Sequence, residues 1–289
     1  MIRIYLSTKD SLVPCLEDYF CENSLCNWGV SKTSDALPPE LFGYFDSAEE
    51  ALCALSELKK AFPEIDAEPK IEEIEDSDWQ NKYKEFLTAW NFKNLHWVPV
   101  WMREQYKAPP LDKVLYFDAG LAFGTGDHPT TRLCAIAMMR YADECADVSQ
   151  KSLIDAGCGS GILALSAKLL GFGEVFGFDR DTEAVRASIE NAKYNNIEGV
   201  VFAHSGIENA LEGRKADIIL ANIQADVLCI YAENLIKAVA DGGRLVLSGI
   251  LAAENAEVKK YFDGLCADKF HPSKAEFMGD WSSLEFIGK

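Results

Sequence analysis

The stretch from Leu153 to Gly161 reads LIDAGCGSG: an acid and three alternate glycines, Gly157, Gly159 and Gly161, follow an apolar run. A helix-like run, Ile162 to Leu170, comes directly after. A chain leaving a strand here must turn sharply, and a side chain inside the turn would block a ligand. Glycine permits both the positive φ and the close approach of backbone to ligand. The dinucleotide fingerprint G-x-G-x-x-G would put its third glycine at position 162. Ile162 occupies that place and Gly161 falls one residue early, which argues against a nicotinamide oxidoreductase. Val175-Phe176-Gly177-Phe178-Asp179 then reads as a short buried strand ending in a carboxylate, 22 residues beyond Gly157. Nucleotide-binding α/β folds use an acid about 20 residues past the glycines to bind ribose hydroxyls, and Asp179 fits that role. Its plain alternative, a helix N-cap, is open equally to Asp181 or Thr182.

Asn222 is the second residue type suited to chemistry. It ends the strand-like run Asp217 to Ala221, where open α/β sheets bind ligands. An amine bound at such an end as a nucleophile must be neutral and aimed. An Asp here would hold a lysine as its ammonium, whereas an Asn carbonyl accepts a hydrogen bond without a full charge. A turn residue bonding its own backbone is the structural alternative.

The elements that must position these residues alternate. Val200-Val201-Phe202, Asp217 to Ala221 and Arg244 to Ser248 read as further strands. Val185, Ile189 and Ala192 predict one buried helix face, and Ile230, Leu235, Ile236 and Val239 another. Strands alternating with helices predict a parallel sheet covered on both sides.

G-x-G-x-G after an acidic strand end resembles the S-adenosylmethionine loop of Rossmann-like methyltransferases. Upstream, Phe117 to Thr131 reads FDAGLAFGTGDHPTT, just before a helical run from Leu133 to Met139. This stretch resembles the A-F-G-T-G-x-H-P-T-T signature of the ribosomal protein L11 methyltransferases, the PrmA family. Asn222-Ile223 resembles the family's N-I-L-A loop, and Leu247 to Leu251 its L-S-G-I-L. Asp78-Trp79 with Trp97 to Trp101 resembles its linker, and Asp280-Trp281 to Gly288 its last strand.

The resemblance implies a seven-stranded Rossmann-like methyltransferase domain preceded by a small α+β ferredoxin-like domain. It implies S-adenosyl-L-methionine as methyl donor, with Thr131, Gly157, Gly159, Asp179 and Asn222 contacting it. Asn222 is also the catalytic candidate, and no metal is expected. The implied activity is methylation of lysine and N-terminal amines of ribosomal protein L11. Three departures stand out: Ala119 replaces a proline, Asp127 holds a variable position, and Gln224 to Val227 departs from the L-A-x-P continuation. His128 could serve as a general base; the favoured reading is that it orders the loop while Pro129 starts the helix. A relative acting on another protein and a noncatalytic S-adenosylmethionine binder remain the alternatives.

The chain has 289 residues, enough for two domains with real cores. No apolar run approaches a membrane span, and Met1 to Asp10 lacks the apolar centre of a signal peptide. Nine cysteines without C-x-x-C pairs read as small core residues in a reducing cytoplasm. A monomer is expected.

Residues 1–75 read as β-α-β-β-α-β, the ferredoxin-like order. Ile2, Ile4 and Leu6 alternate; Leu12, Leu16, Tyr19 and Phe20 give a helix stripe; Trp28 to Val30 and Leu41 to Phe45 supply strands. Ser47 to Glu50 is a capping box for a helix through Leu58, and Ile71 and Ile74 close the unit. This quarter of the chain carries 16 Asp plus Glu against 6 Lys plus Arg, a net of −10 out of −18. Such a surface repels phosphate backbones, so direct nucleic-acid binding is not expected. It would steer a basic protein partner, which makes residues 1–75 the substrate-recognition domain. Residues 76–115 hold Trp79, Trp90, Trp97 and Trp101 with three prolines, a linker whose tryptophans pack on the methyltransferase domain, 116–289.

Overall fold

The computed structural model describes residues 2–22, 27–31, 38–73, 88–118 and 128–289. Most of the glycine-rich stretch upstream of His128, including Ala119 and Asp127, lies outside the described residues, as do Ile74, Asp78 and Trp79. The chain divides into two compact units, Met1–Phe86 and Leu87–Lys289.

The first unit runs β1 (Ile2–Ser7), α1 (Val13–Glu22), β2 (Trp28–Ser31), β3 (Glu40–Phe45), α2 (Ala48–Ala61) and β4 (Lys70–Glu73). Its four strands pair antiparallel in the order β2-β3-β1-β4. Alternation sets the faces: Ile4, Leu6, Leu41 and Phe45 join Leu16, Leu55 and Leu58 in one core. Ser47 caps α2 by accepting from the Glu50 amide at 3.2 Å, as its capping box requires.

The second unit opens with β5 (Trp90–Phe92), β6 (Leu95–Pro99) and β7 (Lys113–Phe117), a three-stranded sheet. From Trp90 on, the segment expected to be a linker is therefore regular structure that shares the second unit's core. Trp90 and Trp97 stack at 3.9 Å, and the buried Trp97 indole donates to Ser166 Oγ at 2.7 Å. Both rings are buried among apolar neighbours, and Trp97 also finds an acceptor, so they are core.

There follow α3 (Pro129–Glu144), β8 (Ser152–Ala156), α4 (Ile162–Leu170), β9 (Glu174–Asp179), α5 (Thr182–Tyr194), β10 (Val200–His204) and α6 (Ile207–Ala210). Then come β11 (Ala216–Asn222), α7 (Ala225–Ile230), α8 (Ala232–Ala238), β12 (Val239–Leu251), α9 (Asn255–Cys266), β13 (Lys274–Met278) and β14 (Trp281–Ile287). Seven strands form one sheet in the order β10-β9-β8-β11-β12-β14-β13. The first five are parallel, and β14 runs antiparallel between β12 and β13. Apolar layers cover both faces, as a buried parallel sheet demands.

Two helix readings need correction. Ile189 is 41% exposed, and α5 buries Ala184, Val185, Ser188 and Asn191. Its buried stripe is half polar because it faces a glycine loop whose carbonyls need donors. The stripe from Ile230 to Val239 is not one helix either. The chain breaks at Tyr231, Ile230 is 71% exposed, and Val239 already begins β12.

Candidate active site

Strands β8, β9 and β11 are parallel, so Ala156, Asp179 and Asn222 end along one edge of the sheet. Beyond β8 the chain reverses through Gly157, Gly159 and Gly161, with φ of 75°, 53° and 77°. These are left-handed conformations that side chains resist. A Cβ at Gly157 would stand 2.5 Å from Ile223 Cγ2. The turn is tied to β9 by the amides of Gly157 and Cys158, both donating to the Phe178 carbonyl at 2.9 Å.

Asp179 stands at the end of β9 with each carboxylate oxygen engaged by backbone. Oδ2 accepts from the Gly159 amide at 2.9 Å, and Oδ1 from the Asp181 amide at 3.0 Å. Asp181, not Asp179, caps α5 by accepting from the Glu183 amide.

Asn222 and Thr131 meet across the same edge. Asn222 Nδ2 donates to Thr131 Oγ1 at 3.3 Å, and both residues are buried. Asn222 Oδ1 is buried with no hydrogen-bond partner among the described residues. An orphaned buried acceptor is costly, and its natural complement is a ligand's N–H. Thr131 sits in the first turn of α3. His128 caps that helix, its Nδ1 meeting Thr130 Oγ1 at 2.7 Å and the Thr130 amide at 3.4 Å, with Pro129 at the helix start. The His128 ring packs edge-on against Trp281 at 4.8 Å, and burial holds its imidazole below its ordinary pKa.

Asp155 belongs to the same group of residues, though its spacing had marked it only as the acidic strand end. It is fully buried. Oδ2 accepts from the Ala164 amide at 3.0 Å, while Oδ1 has no partner among the described residues. Burial above all, with the Asp179 charge adding to it, raises this carboxyl to about 7.

Two further residues escaped the sequence reading because they look like ordinary helix surface. Ser188 Oγ donates to the Gly159 carbonyl at 2.9 Å. Asn191 Nδ2 donates to the Ser160 carbonyl at 2.9 Å and the Asp118 carbonyl at 2.8 Å, while Oδ1 accepts from the Asp118 amide at 2.8 Å. Asn191 thus fastens the glycine loop to the end of β7. Ser188 and Asn191 follow Val185 at steps of three along α5, but nothing in that spacing names their partners.

Taken together, the free capacity of this edge lies in acceptors: the orphaned oxygens of Asp155 and Asn222 and the remaining lone pairs of Asp179. Such a set fits a cationic ligand bearing hydroxyl and ammonium donors. Cys158, inside the glycine turn, is buried and its thiol is pushed far up, which makes it packing and no nucleophile.

A family model described as ribosomal protein L11 methyltransferase (PrmA) matches residues 17–288. The chain belongs to the PrmA family. A ribosomal protein L11 methyltransferase of Pseudomonas fluorescens (strain Pf0-1) is 40% identical over 220 residues, covering 75% of this chain and 72% of that protein. One from Exiguobacterium sp. (strain ATCC BAA-1283 / AT1b) is 32% identical over 279 residues, covering 93% of this chain and 85% of the relative. Among solved structures, the ribosomal protein L11 methylase of Lactobacillus delbrueckii subsp. bulgaricus superposes with a TM-score of 0.60 at 29% identity. That match covers 70% of this chain and 98% of the other. The PrmA chain is an enzyme of the methyltransferase class, and its four-stranded and seven-stranded sheets have the ferredoxin-like and Rossmann-like topologies expected from the sequence. No described helix is long and apolar enough to cross a membrane.

Proposed function

We propose that this chain is a cytoplasmic, monomeric N-methyltransferase that moves methyl groups from S-adenosyl-L-methionine to lysine and N-terminal amines of ribosomal protein L11. Family membership supports the substrate. The observation that carries the chemistry is Asn222, a neutral amide at the strand end whose Nδ2 is bonded to Thr131 and whose Oδ1 is buried without a partner.

In this reading the donor lies along the edge formed by Gly157, Gly159, Asp179, Thr131 and Asn222. The Asp179 carboxylate accepts from ribose hydroxyls, and the glycine turn gives backbone-level approach. Bound there, S-adenosylmethionine supplies a methyl group activated on a sulfonium. Thr131 holds the Asn222 amide in one orientation, and Asn222 Oδ1 accepts an N–H of the entering amine. The amine's lone pair is thereby aimed, and no added charge retains it as ammonium. The proton has left to solvent before attack. Holding amine and methyl in line is the main catalytic term, within the ~7–11 kcal/mol available to well-oriented reactants. Residues 1–75, with their net charge of −10, form the substrate-recognition domain.

The test combines purified chain, methyl-labelled S-adenosylmethionine and ribosomal protein L11, with mass mapping of the product. Label on L11 amines is expected. Tight donor binding with no label transferred would make the chain a binder without activity.

A further inference from the structure

Helix α5 ends on the sequence Asn195-Asn196-Ile197. Asn196 is left-handed at φ 53°; its amide donates to the Lys193 carbonyl at 3.1 Å, and that of Ile197 to the Ala192 carbonyl at 2.9 Å. Those two bonds make a Schellman terminus, whose left-handed residue Asn tolerates better than most side chains. Asn195 is thereby fixed at the helix cap, four residues beyond Asn191. At that spacing both side chains lie on one side of the helix.

Strand β7 pairs with β6 along one edge, and its other edge meets no strand among the described residues. Tyr116 and Asp118 are two residues apart, so their backbone groups turn to the same edge. Each is met there by one side-chain amide of α5. Asn195 Oδ1 accepts from the Tyr116 amide at 2.7 Å, and Asn195 Nδ2 donates to the Tyr116 carbonyl at 2.5 Å. Asn191 makes the same two bonds with Asp118, both at 2.8 Å. A residue of a neighbouring antiparallel strand exchanges just such a pair. The fit is metric: four helical residues rise about 6 Å, close to the roughly 6.6 Å of two strand residues. The two asparagines thus serve β7 as a surrogate strand.

Asn191 is also shared with the glycine turn. The Nδ2 that holds Asp118 donates to the Ser160 carbonyl, and Ser188, one step earlier, holds that of Gly159. A single polar stripe, Ser188-Asn191-Asn195, therefore sets the glycine turn and the end of β7 at one separation. Among the described residues Asn195 makes no bond to the turn itself. Its bonds go to Tyr116 and, through Nδ2, to the Asn191 carbonyl at 2.7 Å. Arg103 supports the same junction, lying 4.8 Å over the Tyr116 ring and donating to the Tyr194 carbonyl at 3.3 Å.

We propose that Asn195 is a positioning residue for the methyl donor, holding β7 so that Asn191 keeps Asp118 and the glycine turn in register. The proposal rests on the reading above, in which the donor lies along that turn. With both backbone segments set beforehand, the donor spends no affinity on ordering them. Without Asn195 the open edge of β7 is held by Asn191 alone, and every binding event must restore the register.

The experiment uses the full chain with Asn195→Leu, which removes all three side-chain bonds, and Asn195→Asp, which keeps the acceptor and loses the donor. Ser273→Ala is the control for lost stability, since its bonds to Asp263 and Lys259 lie on α9. Calorimetry reads the Kd for S-adenosylmethionine and for L11. Steady-state assays read kcat and the donor KM, and thermal melts read folding. Both Asn195 variants should raise the donor Kd and KM about tenfold, as loss of buried hydrogen bonds implies. The kcat at saturating donor and the L11 Kd should hold, and Ser273→Ala should leave all four values in place. An unchanged donor Kd in an Asn195 variant that melts cooperatively overturns the proposal. So does a donor Kd that Ser273→Ala raises equally for the same drop in Tm. Should Asn195→Leu fail to fold, Asn195→Asp decides. A parent that binds donor, loses affinity on Asn195 substitution and transfers no methyl upholds the positioning role and overturns the enzymatic reading. A parent that binds no donor overturns both.

Discussion

Asn222 Nδ2 donates to Thr131 Oγ1 across 3.3 Å, joining the end of β11 to the first turn of α3, 91 residues earlier in the chain. The bond fixes which atom of the Asn222 amide is left over: the carbonyl oxygen. Thr131→Val keeps the shape and removes the acceptor, leaving Nδ2 buried and unpaired. The expected cost is ~1–3 kcal/mol of stability by urea unfolding. Donor affinity measured by calorimetry should fall along with it. Equal stability and equal affinity in the valine variant would mean the pair does not organise the pocket.

Replacing Asn222 by Asp tests the charge argument. The variant places a carboxylate beside the amine and retains it as ammonium. We expect kcat to fall by about 100-fold, in the range seen when one oriented polar group of an active site is lost. The remaining activity should shift to higher pH, because a stronger base is needed to free the lone pair. A pH-rate profile of the variant superimposable on that of the parent would contradict the role given to Asn222.

Asp155 makes the stability of the ligand-free chain depend on pH in an unusual direction. Its carboxyl rises from 3.8 to about 7 on folding. The folded state therefore holds the proton more tightly than the unfolded one. The stabilisation is complete below pH 4 and is lost as pH climbs through 7. Asp155→Asn abolishes that loss, so the variant should gain on the parent between pH 4 and pH 8 by an amount on the order of a few kcal/mol. Parallel urea stabilities of the two proteins across this range would refute the assignment.

Gly249 lies at the irregularity of β12 between Ser248 and Ile250, with φ of 84°. A Cβ there would sit 2.3 Å from the Ile223 carbonyl oxygen. The backbone after Asn222 cannot move away without displacing Asn222. Gly249→Ala should cost about 2 kcal/mol or more from strain and overlap together. It should also weaken donor binding, whereas Gly264→Ala, where nothing lies near, should do neither. Thermal melts and calorimetry of the two variants provide the comparison.

Asn191 is buried and uses both donors and its acceptor on backbone groups of Ser160 and Asp118. Asn191→Leu removes three hydrogen bonds to backbone groups of Asp118 and Ser160. A loss of about 3 kcal/mol is expected. Amide exchange should quicken at Asp118 and in the glycine turn before it does in the sheet. Uniform acceleration across the second unit would indicate a general packing defect instead.

Local chemistry in the sequence determined the parts of this protein that depend on neighbours in the chain. Three alternate glycines after an acidic strand end specify the turn, because few other residues accept the backbone angles found at 157, 159 and 161. Ser47 and Glu50 specify a helix start, and alternation in residues 2–7 and 41–45 specifies which side chains face a core. Asp179 and Asn222 were legible for the same reason: each terminates an apolar strand. Tertiary structure alone decided what those ends meet. The Thr131 contact, the orphaned oxygens of Asp155 and Asn222, and the polar stripe of Ser188 and Asn191 arise between segments distant in sequence, where periodicity carries no information. It also made residues 90–115, read as a linker whose tryptophans pack on the methyltransferase domain, into strands of that unit's own core, since strand pairing is not visible in a short segment until its neighbours are known. Sequence spacing encodes angles and faces; burial, and hence pKa and the partners of an amide, belongs to the folded whole.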